Sequence, residues 1–321
     1  MPFVPPRGSG KFVVMKILVL GAGAVGGYFG GRLAAAGHEV FFTARGEHLK
    51  ALQNTGLSVQ SCQGDFHTHP AAAEFFEPIA GLGLILICVK HKDTAALLPQ
   101  LKKQAGETTV VISLQNGADS ERFFIDAAGA EKVVGGIAYI GAALEAPGKI
   151  SHTARGVVTI GELGGTPSRR TETIKKMFEE AGIKCNVSAN IKKDKWEKLM
   201  WNAGFNGICA LTRQPVHPLL NHPPTRAIIK KLMEELVTVA HAAGAPVNPA
   251  LPDKYIENTL KGGEVYPSTL QDVNQGKTTE IGIMNGTVVE EGKKHGIATP
   301  YNEMVWAAVS AIDAAAEGRR G

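Results

Sequence analysis

A short run, Lys16–Leu20 (KILVL), opens directly into GAGAVGG and then into a segment of helical length, Val25–Ala36. This is the most restrictive feature of the chain. Gly21, Gly23 and Gly26 stand in G-x-G-x-x-G register between a strand pattern and a helix pattern. The first glycine permits a tight turn, the second lets a pyrophosphate approach the backbone, and the third lets the helix pack on the sheet. Amides at the start of such a helix face the phosphates. Residues Gly21, Ala22, Gly23, Ala24, Val25 and Gly26 are therefore expected to cradle a dinucleotide, within a βαβ unit of an open parallel sheet.

The pattern downstream agrees. Glu39–Thr43, Leu84–Val89 and Thr109–Leu114 are further apolar or β-branched runs separated by helical spacers, which predicts a doubly wound α/β sheet of Rossmann type. After Ala130, VVGGIAYIGA, GKISHT and GVVTIGEL follow closely, with Pro147-Gly148 and Arg155-Gly156 between them. These read as hairpin connections that add antiparallel strands to the sheet. Beyond Ile183–Ile191 strands cease, and helices are expected over Lys192–Ala210, Pro224–Ala243, a stretch from Ser268, and Thr278–His295. The expected organisation is a disordered extension over residues 1–14, a dinucleotide-binding domain over 15–189 and an all-helical domain over 190–318.

Composition excludes several classes of function. A net charge of +4 without a Lys/Arg block argues against nucleic acid. Cys62, Cys88, Cys185 and Cys209 lack metal-ligand or disulfide-framework spacing, so no metal is expected. LGLILICV is strand-sized, too short to span a membrane. A cytoplasmic protein acting on a small molecule is expected, with a homodimer left open.

Polar residues at strand ends are candidates for ligand contact, because ligands of open α/β sheets sit beyond the carboxyl ends of the strands. The second strand ends in Arg45 where an NAD site carries an acid for the ribose hydroxyl; a guanidinium suits a 2′-phosphate, which favours NADPH. Lys90 follows one apolar run, and Asn116, within Gln115-Asn116-Gly117, follows another. In KWEKLMWNAGFNGICALT, Lys198, Asn202 and Asn206 fall at about 0°, 40° and 80° on a helical wheel. This narrow polar stripe is flanked by aromatic and aliphatic residues, which predicts an enclosed polar cavity. A desolvated lysine gives up its proton more readily, and asparagines bond hydroxyl or carboxylate oxygens. Ser268 with Gln271 reads as a capping box, and Glu280 as an acid in a first helical turn.

Together, ILVLGAGAVGG, CVKHKDT, LQNG, KWEKLMWNAGFNGICALT and STLQDVNQGKTTEIGIMNG, in this order, resemble the ketopantoate reductase (2-dehydropantoate 2-reductase) family over Met15 to about Ala315. The resemblance implies NADPH-dependent reduction of 2-dehydropantoate to (R)-pantoate in a cleft between a Rossmann and a helical domain. It implies Lys198 as general acid supported by Glu280, with Asn202, Asn206 and Ser268 on the substrate. Cofactor-facing roles are expected for Gly21 to Gly26, Lys90, Asn116 and Glu280, and Asn116 is a candidate for substrate contact as well. The chain departs from the family pattern at RQPVHPLLNHP and at EVYP before Ser268, which leaves the 2-oxo acid open. Two other readings stand beside this one, a dehydrogenase of the β-hydroxyacid type and a non-catalytic NADPH sensor.

Overall fold

The computed structural model describes residues 14–318. The expected extension lies outside the described residues except for its last residue, Val14. The chain divides into two compact units. One comprises the residues through Gln115 with Asp119–Ile191, and the other Asn116–Ala118 with the residues from Lys192 onward.

The first unit runs β1 (Lys16–Leu20), α1 (Ala24–Ala35), β2 (Glu39–Thr43), α2 (Gly46–Thr55), β3 (Leu57–Ser61), β4 (Phe66–Thr68), β5 (Ala71–Ala73), β6 (Leu82–Ile87), α3 (Thr94–Gln104), β7 (Val110–Ser113), α4 (Glu121–Ala128), β8 (Val133–Ala146), β9 (Lys149–Glu162), α5 (Arg169–Glu180) and β10 (Lys184–Val187). Among the described residues these strands form one sheet in the order β4-β3-β9-β8-β7-β6-β1-β2-β5, with β10 on β9. From β5 through β2, β1, β6 and β7 to β8 every pairing is parallel. Counted along the chain, this is the 3-2-1-4-5-6 order of the Rossmann fold, reversing direction between β1 and β6. Antiparallel pairings of β8 with β9 and of β3 with β4 extend it.

The sheet is covered on both faces, so its strands are nearly continuous in apolar residues. On one face Tyr28, Phe29 and Leu33 of α1 and Phe178 of α5 bury against Phe42, Leu57 and Ile150. On the other, Leu97 and Leu101 of α3 and Phe124 of α4 bury against Leu18, Ile85 and Val111. The expected turn at Arg155-Gly156 is not a turn. Both residues have positive φ (65° and 88°), but they form a bulge where the register with β8 shifts at Tyr139/Ile140, and β9 continues through it. The extra residue bends the strand without ending it. The turn at Pro147-Gly148 does connect β8 to β9, with Gly148 at φ 73°.

The second unit is helical: α6 (Ile191–Thr212), α7 (Val216–Asn221), α8 (Pro223–Ala242), α9 (Leu251–Lys261), α10 (Ser268–Asn274), α11 (Asn285–Lys294) and α12 (Pro300–Gly318). Its core gathers Trp196, Leu199, Met200 and Phe205 of α6 around Leu232, Met233 and Leu236 of α8, Val288 of α11, and Val305 and Val309 of α12. Buried on nearly every side, α6 is the central helix of this unit. The helix expected over Thr278–His295 is broken: Thr278–Glu280 are non-helical, Ile281–Ile283 form a single 3-10 turn, and α11 starts only after Met284.

Candidate active site

In the first unit the glycine loop is built by strand ends. Gly21 N–H donates to Thr43 Oγ1 at 2.9 Å, and Ala22 N–H donates to the Thr43 carbonyl at 2.9 Å, so the loop is zipped to the end of β2. Gly21 has φ 99°, and a Cβ there would lie 2.7 Å from Val89 Cγ1 and 2.8 Å from its backbone nitrogen. A Cβ on Gly26 would fall far inside contact distance of the Gly21 carbonyl oxygen and 2.9 Å from Cys88 Cβ. Gly23, which caps α1 in an extended conformation, is different: a Cβ there meets no protein atom within 4 Å. Protein packing therefore demands glycine at 21 and 26. At 23 the vacant Cβ position borders open space beside the first-turn amides of α1, which an α-helix leaves without intrahelical partners. Such a cradle fits a pyrophosphate.

Arg45 caps α2 where β2 ends, exposed, with Nε 3.8 Å from the Glu74 carboxylate. Exposed pairs of this kind contribute little, so the guanidinium is available to a stronger anion. Lys90 is exposed just beyond β6. Buried Gln115 donates to the Val89 carbonyl (3.0 Å) and to Thr94 Oγ1 (2.8 Å), tying the β6 end to the β7 end.

In the second unit three expected site residues meet directly. Lys198 Nζ donates to Asn116 Oδ1 at 2.9 Å, and Asn116 Nδ2 donates to Glu280 Oε2 at 3.1 Å. An ammonium only donates and a carboxylate only accepts, so the amide can face only this way round. Asn116 thus relays the Glu280 charge to the lysine. Burial, joined by the like charge of Lys195, lowers the Lys198 pKa from its ordinary value to about 8, against the opposing pull of Glu280. Glu280 is not in a helical first turn as expected. It is held by its neighbour: Thr279 donates its N–H (2.9 Å) and its hydroxyl (2.7 Å) to the two carboxylate oxygens of Asp313 on α12.

Asn202 lies half-buried one turn beyond Lys198, and Asn206 is buried one turn further. Asn206 Nδ2 points at Met284 Sδ, 3.2 Å away, while its Oδ1 is buried without a hydrogen-bond partner. A buried acceptor left unmade costs about 1–3 kcal/mol, which a substrate hydroxyl would recover. Ser268 is not a cap: Pro267 holds that position, Ser268 is the first, exposed residue of α10, and Gln271 donates to the Tyr266 carbonyl. The next residue, Thr269, reaches Met284 Sδ at 3.8 Å, so α10 and Asn206 share a neighbour. The sequence reading missed Lys195, buried on α6. Carrying the helical wheel one turn towards the N-terminus puts it at about 60°, inside the same stripe.

Among the described residues no group of three metal-ligating side chains occurs, and no helix is long and apolar enough to cross a membrane. A glycine loop on a Rossmann-ordered sheet and a helical unit with a buried lysine make this a two-unit α/β protein with a dinucleotide-sized cradle. The family model described as "Ketopantoate reductase PanE/ApbA" matches residues 17–165, and its C-terminal companion matches 190–313. The chain belongs to this ketopantoate reductase family. It is 30% identical to a 2-dehydropantoate 2-reductase of Pyrococcus horikoshii, covering 95% of this chain and all of that one. A PanE/ApbA family ketopantoate reductase from Ralstonia eutropha superposes with a TM-score of 0.86 at 31% identity, over 94% of this chain and 100% of the other. D-mandelate dehydrogenase shares the fold, with a TM-score of 0.88 at 24% identity over 94% and 100% of the two chains.

Proposed function

We propose that this protein reduces 2-dehydropantoate to (R)-pantoate with NADPH, and that Lys198 is the general acid. The Lys198–Asn116–Glu280 relay is the observation that carries the reading. It joins a lysine whose pKa burial lowers to about 8 to an amide whose orientation is set by Lys198 on one side and Glu280 on the other. When bound, the nicotinamide supplies a hydride to the C2 ketone carbon. Lys198 donates its proton to the ketone oxygen, where negative charge gathers only as the transition state forms. A cation aimed there stabilises that state more than the substrate. Asn116 fixes the ammonium, and Glu280 keeps it protonated for longer as pH rises. Asn206 Oδ1 accepts from a substrate hydroxyl, the Ser268 hydroxyl donates to the carboxylate, and Asn202 keeps the substrate in register with Lys198. Gly21 to Gly26 hold the pyrophosphate, Lys90 faces the cofactor, and Arg45 binds the 2′-phosphate.

The direct test is product analysis: NADPH and 2-dehydropantoate should yield (R)-pantoate in an amount matching the NADPH consumed. Absence of pantoate would refute this substrate. The cofactor assignment has its own test. Arg45→Ala should weaken NADPH binding by about tenfold or more, the scale of a charge-assisted hydrogen bond, with NADH unaffected. Equal losses for both nucleotides would refute a 2′-phosphate at Arg45.

The pH dependence follows from the sign of the Lys198 shift. A general acid must be protonated, so kcat/KM for reduction should fall as pH rises through about 8. Glu280→Gln removes the charge that opposes lysine deprotonation and should move this falling limb to lower pH. A limb that stays in place or moves upward would show that Glu280 does not act on Lys198.

A further inference from the structure

The ring of His48 is engaged at both nitrogens. Nε2 lies 2.7 Å from the Ala22 carbonyl oxygen, and the Gly148 backbone N–H donates to Nδ1 at 3.0 Å. A carbonyl only accepts, so Nε2 carries the proton and Nδ1 the lone pair, and the two bonds demand the same neutral tautomer. His48 stands in the first turn of α2, half-buried, three residues after Arg45. It joins the middle of the glycine loop to the turn between β8 and β9. That turn is itself pinned, because Ser58 N–H on β3 donates to the Gly148 carbonyl at 2.9 Å. Glycine suits position 148, where φ is 73° and a Cβ would lie 3.1 Å from Ala51 Cβ and from the Gly56 carbonyl.

The bond to Ala22 has a directional consequence. In a trans peptide the C=O and the following N–H point opposite ways, and the described chain has no cis peptide. Holding the Ala22 oxygen on His48 therefore aims the Gly23 N–H away from His48. At Gly23 the vacant Cβ position borders open space beside the first turn of α1. Were this peptide to rotate, a carbonyl oxygen would replace a donor in a cradle meant for an anion.

We infer that His48 is a positioning residue for the dinucleotide: it locks the Ala22–Gly23 peptide in the orientation that presents the Gly23 amide to the pyrophosphate. This rests on the dinucleotide reading of the loop. Because NADPH and NADH share the pyrophosphate, His48 acts on both alike, unlike Arg45.

The test is calorimetric titration of the protein with NADPH and with NADH, alongside the thermal midpoint of the nucleotide-free protein. His48→Ala should raise both dissociation constants by about the same factor, near tenfold, the scale of one hydrogen bond lost at a buried carbonyl. His48→Gln, which keeps a donor where Nε2 stands, should recover most of the affinity. His48→Asn, which keeps only an acceptor where Nδ1 stands, should not. Unchanged affinity in His48→Ala would overturn the inference. So would a glutamine variant that binds as weakly as alanine at the wild-type thermal midpoint. If the wild-type protein binds neither nucleotide, the dinucleotide reading itself falls, and the role of His48 with it.

Discussion

Lys198→Ala is expected to lower kcat by at least about two orders of magnitude, the usual loss when a positioned general acid is removed. The proton has no equivalent source on the relay. Asn116 is an amide, and Glu280 lies beyond it, bonded to Nδ2. Because the charge on the ketone oxygen develops only in the transition state, kcat and kcat/KM should fall together. NADPH affinity should stay close to the wild-type value, since the glycine loop belongs to other residues. Lys198→Arg is the informative companion. It restores a cation, but a guanidinium is effectively never deprotonated and cannot deliver a proton at neutral pH. Its rate should remain near that of the alanine variant. A Lys198→Ala enzyme with near-normal kcat would remove the general acid from the account.

Gly26→Ala should be the most damaging single change in the first unit. Its Cβ would be driven into the Gly21 backbone carbonyl oxygen and against the Cβ of Cys88, whose position its own backbone fixes. Neither neighbour is the free end of a side chain, so α1 or the loop must shift. Overpacking of this kind costs about 1–3 kcal/mol, and the displaced amides lose their aim. We expect a lower thermal midpoint and a loss of NADPH affinity of roughly a hundredfold, the scale of such a cost. Gly23→Ala separates the two effects. With no protein atom within 4 Å of its Cβ, it should leave the thermal midpoint in place and still weaken NADPH. A Gly23→Ala protein that binds NADPH normally would show that no ligand approaches that position.

What was legible in the sequence had a local cause. The β1–loop–α1 motif is specified by residues within one turn of each other, and the α6 stripe by the pitch of a helix. Both appear where the pattern puts them. The bulge at Arg155-Gly156 is not legible locally because positive φ suits a turn and a bulge equally; which one forms depends on whether β8 keeps a partner opposite. α10 starts one residue earlier than the Ser268 pattern implies, with Pro267 in the cap position. Lys195 lies on the same helical stripe, one turn before Lys198. The relay is another matter. Asn116 is 82 residues from Lys198 and 164 from Glu280 along the chain. Nothing in local pattern says that its amide joins the two, or that Asp313 holds Thr279 beside Glu280.

The proposed NADPH-dependent reduction of a branched 2-oxo acid at Lys198 is open to a single kinetic comparison. Initial rates of NADPH oxidation across a panel of 2-oxo acids that includes 2-dehydropantoate test it most directly. The highest kcat/KM should be that for 2-dehydropantoate, with a falling limb above pH about 8 and loss of that rate in Lys198→Ala. NADPH bound tightly but oxidised by no 2-oxo acid of the panel would contradict it.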